Sequence, residues 1–352
     1  MAQSRATIRD VAALAGVSHQ TVSRVINDGE RVRPATRQRV ETAIAELDFR
    51  PNAIARFMAT GSTHTFTCLA PNLTDYTFAR IIEGAEHETR RQGYYLFSAS
   101  AADEDIFATL VDQLVSSRRT EGLLVINPYA DSRHRHLPDN VPTVYVGARP
   151  REEAVDSVAL DDEGAAVAAT EHLLALGHRR IGMVCGPMSE DCSQDRLAGY
   201  QAALTAAGQP IDPCLIDEGD WSATSGYQAF QRLAQLPEPP TAVFAQNDRM
   251  AIGVLRALRE VGLRVPAELA VIGFDDMPLA SYFDPSLTTM RQDLVEIGRQ
   301  AAQLLIRAVE NPNAQRQHLR LPAELIIRES TGVALQASDR SLAYPLNRRA
   351  RV

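Results

Sequence analysis

TIRDVAALAGVSHQTVSRVIN, residues 7–27, decides how the chain is read. Thr7 and Asp10 have the spacing of a capping box, in which the hydroxyl satisfies early backbone amides and the carboxylate reaches back. Ile8, Val11, Ala12 and Ala15 follow as an apolar stripe at helical spacing. Gly16 ends that helix, Val17 plugs the turn, and Ser18 caps a second helix running from His19 to about Asn27. After a polar connector Pro34 stands where the first residue of a third helix belongs, and Val40, Ile44 and Leu47 give that helix its apolar face. A second helix set by a tight glycine turn places its N-terminal side chains in the major groove of duplex DNA. His19, Gln20 and Arg24 fall there. Gln suits an adenine edge and Arg a guanine edge. Thr7, Ser18, Thr21, Ser23, Asn27 and Thr36 are short polar groups suited to the phosphate contacts that fix register.

Charge agrees with that reading once it is divided along the chain. The net charge of the 352 residues is −8. Residues 1–61 carry nine arginines against six acidic residues, a net +3, whereas the remainder carries 27 against 38, a net −11. A basic head on an acidic body implies that the head alone meets a polyanion. The chain has no lysine, which is read as codon bias. Four cysteines (Cys68, Cys185, Cys192 and Cys214) lack metal-ligand or paired spacing, so a reducing compartment is expected. No apolar run reaches membrane-spanning length and the N-terminus does not read as a signal peptide, so a cytoplasmic protein without membrane contact is expected.

From Thr65 the texture becomes alternating strand and helix. Apolar runs at Thr65–Ala70, Gly93–Ser98, Gly122–Ile126, Pro142–Val146, Arg180–Cys185, Ala242–Ala245 and Leu269–Phe274 read as strands. Amphipathic stretches such as Arg80–Gln92, Gly164–Leu176, Asp195–Ala207, Thr224–Leu236 and Met250–Val261 read as helices, several closed by Gly93, Gly177, Gly208 or Gly262. Continuous apolar strands with crossover helices imply parallel sheets. The length implies two α/β subdomains with a cleft between them, and ligands in such folds meet the carboxyl ends of the strands.

The segment 7–27, with VRPATRQRVETAIAELDFRPNAIARFMATG at 32–61, closely resembles the DNA-binding head of the LacI/GalR family of transcriptional regulators. The resemblance continues through TEHLLALGHRRIGMV (170–184), DRLAGYQAAL (195–204), GDWSATSGYQAF (219–230), FAQNDRMAIGVLRALREVGLRVP (244–266), VIGFDDMPLA (271–280) and SLTTMRQD (286–293). It covers roughly residues 6–332. It implies a helix-turn-helix head over 1–50, a hinge helix over 51–61, and an effector-binding and dimerisation body of the periplasmic-binding-protein type over 62–332. The two subdomains of that body would be 62–160 with 291–320, and 161–290 with 321–332. The polar tail, 333–352, is expected to be disordered and has no leucine heptads.

The resemblance makes His19 and Gln20 the chief specificity pair. It makes Asn52–Thr60 a helix that folds only on DNA and pairs with its copy in the minor groove. Met58 stands at the wedge position, Ala55 allows close pairing, and Asn52 opens the segment; nine residues are too short for a stable isolated helix. In the body it assigns Arg196, Asn247 and Asp275 to effector contacts and Trp221 to stacking on a sugar ring, although Trp221 alone fits a core position equally well. Sugar hydroxyls need spaced donors and acceptors with an aromatic face. Asn72, Asp75 and Phe78, after the first strand, are further candidates. Asp248 and Asp276 read as helix caps instead. At Gly147, where a lactose-responsive member of the family carries an aspartate, the chain offers no side chain.

The expected function is therefore a homodimeric, sequence-specific repressor of carbohydrate-utilisation genes, released from a pseudo-palindromic double-stranded DNA operator by a mono- or disaccharide effector. One alternative keeps the DNA role but has a purine or phosphorylated co-repressor, or a phosphoprotein, as the signal. A transport-type sugar-binding protein is a second. An enzyme is not expected, because G-x-S-x-G, P-loop, H-E-x-x-H and G-x-G-x-x-G motifs are all missing. His134 and His136 read as a solvated loop; no metal or cofactor is expected.

Overall fold

The computed structural model describes residues 6–27, 32–49, 62–126, 129, 131–147, 149 and 155–332. The hinge segment with Asn52, Ala55 and Met58, and the tail 333–352, lie outside these residues. Two units divide at His64–Thr65, and each is described by itself.

The first unit holds α1 (Ile8–Ala15), α2 (His19–Asn27) and α3 (Pro34–Glu46). The capping box is present: Asp10 N–H donates to Thr7 Oγ1 at 3.4 Å, and Thr7 N–H to Asp10 Oδ2 at 2.7 Å. Gly16 closes α1 at φ +62, a left-handed conformation that a Cβ disfavours. Val17 N–H returns to the Ala12 carbonyl at 3.0 Å. The core is small: Val11, Ala12, Ala15, Val22, Val40 and Ala43 are buried, with Ile8, Ile44, Leu47 and Phe49 packed around them. Val22, with Val25 and Ile26 packed beside it, anchors α2 in that core, leaving the opposite face of the helix to solvent.

The second unit holds two six-stranded sheets. The strands are β1 (Thr65–Ala70), β2 (Tyr95–Ser100), β3 (Gly122–Ile126), β4 (Thr143–Val146), β5 (Asp156–Leu160), β6 (Ile181–Cys185), β7 (Ile216–Glu218), β8 (Ala242–Ala245), β9 (Ala270–Asp275), β10 (Thr288–Arg291), β11 (His318–Leu321) and β12 (Glu324–Ile326). The orders are β11-β5-β4-β3-β1-β2 and β12-β10-β9-β8-β6-β7. The first five members of each half follow one winding, read in chain order within the half. All pairs are parallel except β10 with β12. The chain passes between the sheets after β5, after β10 and after β11.

Helices α4 (Tyr76–Arg91), α5 (Glu104–Ser116) and α10 (Leu294–Glu310) cover the first sheet, and α6 (Asp162–Ala175), α7 (Asp191–Ala206), α8 (Ala223–Leu233) and α9 (Asp248–Glu260) the second. Each sheet has an apolar cluster on either face, as buried parallel strands require. α4 and α10 approach until backbone meets backbone: a Cβ on Gly84 would lie 2.1 Å from the Val295 carbonyl oxygen, and one on Gly298 1.9 Å from that of Ile81.

The α/β architecture agrees with the sequence expectation, with some bounds displaced. The second strand starts at Tyr95 and not Gly93, because Gly93 closes α4 at φ +82. α7 starts at Asp191, so Arg196 lies one turn inside the helix and does not open it. Strands β5, β7, β10, β11 and β12 were not read, being short or polar. His134 and His136 lie in a 3-10 turn, Arg133–His136, where His136 Nε2 contacts Glu104 Oε1 at 3.1 Å. Among the described residues no helix is long and apolar enough to cross a membrane, and no cluster of three His, Cys, Asp or Glu is placed to hold a metal ion.

Candidate functional site

In the head, α2 presents its polar residues outward. His19, Gln20 and Arg24 are exposed, and Gln20 and Arg24, four apart, share one helical face. Thr21 and Ser23 are half-buried and Ser18 exposed. Ser18 Oγ accepts from Thr21 N–H at 3.2 Å and lies 3.0 Å from the Thr21 hydroxyl, so this pair caps α2. Thr7 Oγ1 donates to Asp10 Oδ2 at 2.7 Å, which ties it to the first cap. Thr36, half-buried, lies in the first turn of α3, and Asn27 is the last residue of α2. The base-reading candidates are thus exposed on a helix whose start is fixed by side-chain caps.

In the body, Asn72, Asp75, Phe78, Arg196, Trp221, Asn247 and Asp275 all line one cavity of about 170 Å³ between the two sheets, space for a small ligand rather than a single water. Arg196 is 5% exposed. Its Nε donates to Asp162 Oδ1 at 2.7 Å, its Nη1 to the Gln246 carbonyl at 2.5 Å, and its guanidinium carbon lies 3.6 Å from the centre of the Phe274 ring. Three directions of approach are therefore fixed before any ligand arrives.

Asn247 caps α9, accepting from Met250 N–H at 2.8 Å, and its Nδ2 donates to the Trp221 carbonyl at 3.1 Å. Its part is to join the start of α9 to the loop that carries the aromatic ring. Trp221 has φ +67, is half-buried, and its ring crosses Gly186, where a Cβ would lie 2.2 Å from it. Asp275 ends β9 at φ +117, outside the usual range for a side-chain-bearing residue. Gln292 Nε2 donates to its Oδ1 at 2.6 Å. Burial pushes the Asp275 carboxyl well above the usual carboxylate range, against the pull of Arg196.

The first subdomain supplies a more open wall. Asn72 is exposed, and its Oδ1 accepts from Thr74 and Asp75 N–H, folding the turn after β1. Asp75 caps α4 through Thr77 N–H at 2.9 Å and accepts from Arg249 of the second subdomain at 2.6 Å. Phe78 packs on the first sheet's core. Gly147, at φ +71, lines the same wall.

Two expectations are corrected. Asp248 is not the cap of α9, since Asn247 holds that position; Asp248 instead accepts from the Thr289 hydroxyl at 2.6 Å and Met277 N–H at 2.8 Å, and burial raises its carboxyl to about 7. Asp276 caps nothing either: it receives Arg291 at 2.7 Å and Arg328 at 2.6 Å. Residues that the sequence reading missed also line the cavity, namely Asp162, Glu190, Arg249, Gln292 and Tyr129. Asp162 follows an unread strand, as Gln292 does. Glu190 is bridged to Tyr129 across the two subdomains by backbone pairing, a contact that no local pattern announces.

Residues 7–52 match the bacterial regulatory proteins of the lacI family, and residues 170–331 a periplasmic binding protein-like domain. The HTH-type transcriptional repressor CytR of Escherichia coli (strain K12) is 35% identical over 334 residues, covering 94% of this chain and 97% of that protein. The chain belongs to the lacI family. A second lacI-family relative, the ribose operon repressor of the same strain, is 35% identical over 92% of this chain and 99% of its own length. Among solved structures, the lac repressor dimer bound to operator and the anti-inducer ONPF is similar with a TM-score of 0.85, 32% identity, and coverage of 93% of this chain and 99% of that one. The CelR–cellobiose complex is similar with a TM-score of 0.72, 34% identity, and coverage of 93% and 100%. This lacI-family chain is a DNA-binding transcriptional regulator of repressor type, with an effector-binding body; its family is one of regulators, not enzymes.

Proposed function

We propose that two copies of the chain read a pseudo-palindromic operator, and that a small sugar in the body cavity releases them from it. The observation that carries this reading is the preset polar wall of the cavity: Arg196, Asn247 and Asp275 are each held by named hydrogen bonds beside the partly exposed ring of Trp221. Such a wall suits hydroxyls above and a C–H face beside. The relatives add support, since one solved neighbour is a cellobiose complex and another a ribose complex.

In this reading residues 1–50 are the DNA-reading head, 51–61 the hinge, 62–160 with 291–320 and 161–290 with 321–332 the two halves of the body, and 333–352 a tail. Gln20 and Arg24 read base edges, with His19 beside them; Thr7, Ser18, Thr21, Ser23, Asn27 and Thr36 serve phosphates; Asn52, Ala55 and Met58 serve the minor groove. Asn72, Asp75 and Phe78 close the cavity from the other half. Exposed Tyr95 and Phe97 on the edge strand β2, with Leu279 and Tyr282 on the second half, are the apolar surface that a dimer would cover. The protein would act in the cytoplasm, where its DNA is. Release requires only that the sugar favour one arrangement of the two subdomains over the other.

Titration with mono- and disaccharides, followed by the fluorescence of the single tryptophan, Trp221, tests the reading. A saturable change with one sugar is expected. A flat response to all of them, with calorimetry equally flat, contradicts a sugar effector.

A further inference from the structure

The charge balance of the cavity points beyond a neutral sugar. Among the described residues four carboxylates line it, Asp75, Asp162, Glu190 and Asp275, against two cations, Arg196 and Arg249. Arg249 is matched by Asp75 at 2.6 Å and Arg196 by Asp162 at 2.7 Å. Glu190 and Asp275 are left with neutral donors. Asp275 Oδ1 accepts from Gln292, and its second oxygen takes no hydrogen bond from a described residue. Glu190 accepts from the Trp221 side chain and lies 3.9 Å from Cys192 Sγ. Although Glu190 stands at the N-cap position of α7, its carboxylate makes no capping bond. It is 8% exposed, and its backbone bridge to Tyr129 fixes it where the two halves meet.

Two buried carboxylates that hold no ion pair of their own and share only the pull of Arg196, which Asp162 already engages, disfavour a phosphate or a carboxylate and favour a cation. A hydroxyl satisfies their lone pairs but not their charge. Resting on the reading of this cavity as the effector site, we propose that the effector is an amino sugar whose ammonium is received by Glu190 and Asp275. Burial raises both carboxyls, and a bound ammonium would favour their charged form.

The test is calorimetry on the full chain with matched pairs: glucosamine and glucose, galactosamine and galactose, the N-acetyl form of each amino sugar, and glucosamine 6-phosphate. One amino sugar is expected to bind about tenfold or more tighter than its parent hexose, its N-acetyl form or its phosphate. In Glu190→Gln the ratio of amino sugar to hexose affinity is expected to collapse. A parent hexose that binds as well as its amino sugar overturns this inference and leaves the sugar reading standing. Binding by none of the panel overturns this inference, and the wider titration with mono- and disaccharides then decides the sugar reading separately. Where Glu190→Gln does not fold, the wild-type ratios decide alone.

Discussion

The head and the body hold their working polar groups in opposite ways. In the head, Gln20 and Arg24 stand exposed on a helix that only a handful of buried side chains anchor. In the body, Arg196, Asn247 and Asp275 are buried and already bonded to protein atoms. The contrast follows from the partners. A duplex brings its own edges and phosphates and is met by projecting side chains, whereas a small ligand must find its donors and acceptors in place. Stability and function are therefore separable in the head and entangled in the body.

Replacing Arg196 by Leu should break this contrast most forcefully. It leaves Asp162 buried without its cation, and the loss of an ion-pair partner in such a place costs about 3–5 kcal/mol. Urea unfolding of the body should show that loss; an unchanged midpoint would mean that the Arg196–Asp162 pair carries no structural weight. Arg24→Ala is the opposite case: stability within about 0.5 kcal/mol of wild type, but a loss of about 1–3 kcal/mol in specific DNA binding. Retained discrimination between matched and mismatched duplexes would refute the base-reading role of Arg24.

Between these lies Thr7→Ala, which removes the α1 cap and should cost about 1 kcal/mol of head stability, read by thermal unfolding. A loss of DNA affinity without any loss of stability would make Thr7 a phosphate contact before it is a cap.

The smallest effect is a pH dependence. The Arg91 hydrogen bonds hold the Glu88 carboxyl down at about 2, below its ordinary 4.5. A depressed folded-state value stabilises the protein above pH 4.5, and that contribution is lost as pH falls from 4.5 towards 2. Because Arg91 is largely exposed, solvent screening limits it to below about 1 kcal/mol. Glu88→Gln should flatten the acid limb of the stability curve in that window, and an unchanged acid limb would show the pair to be inert.

Legibility in the sequence divides along the same line as the contrast. The head's α1 and α2 are written locally: Thr7, Asp10, Gly16 and Ser18 each act within four residues of their partners, so both helices were readable with their caps. The central strands were readable as apolar runs because both faces are buried. Strands β7, β10, β11 and β12 were not, since three or four residues such as Ile216–Glu218 give no period, and β11 and β12 are half-exposed edge strands. The seven cavity candidates were legible from the family resemblance and from their places after strands. Glu190 was not, because what brings it to the cavity is the packing of one half against the other, and Gln292 was not, because it follows the short strand β10. Asp248 was misread for a similar reason: its position beside Asn247 offers two carbonyl-bearing candidates for one cap, and only the distant Thr289 draws Asp248 away.

The measurement that tests the central claim most directly joins the two units. The affinity of the purified protein for an operator selected from random duplex DNA is compared with and without the sugar that Trp221 reports. The account predicts a change of about 5- to 150-fold, the usual span of coupling between two sites, and its loss in Asp275→Ala with operator affinity retained. Equal operator affinity with the sugar bound and absent would contradict it.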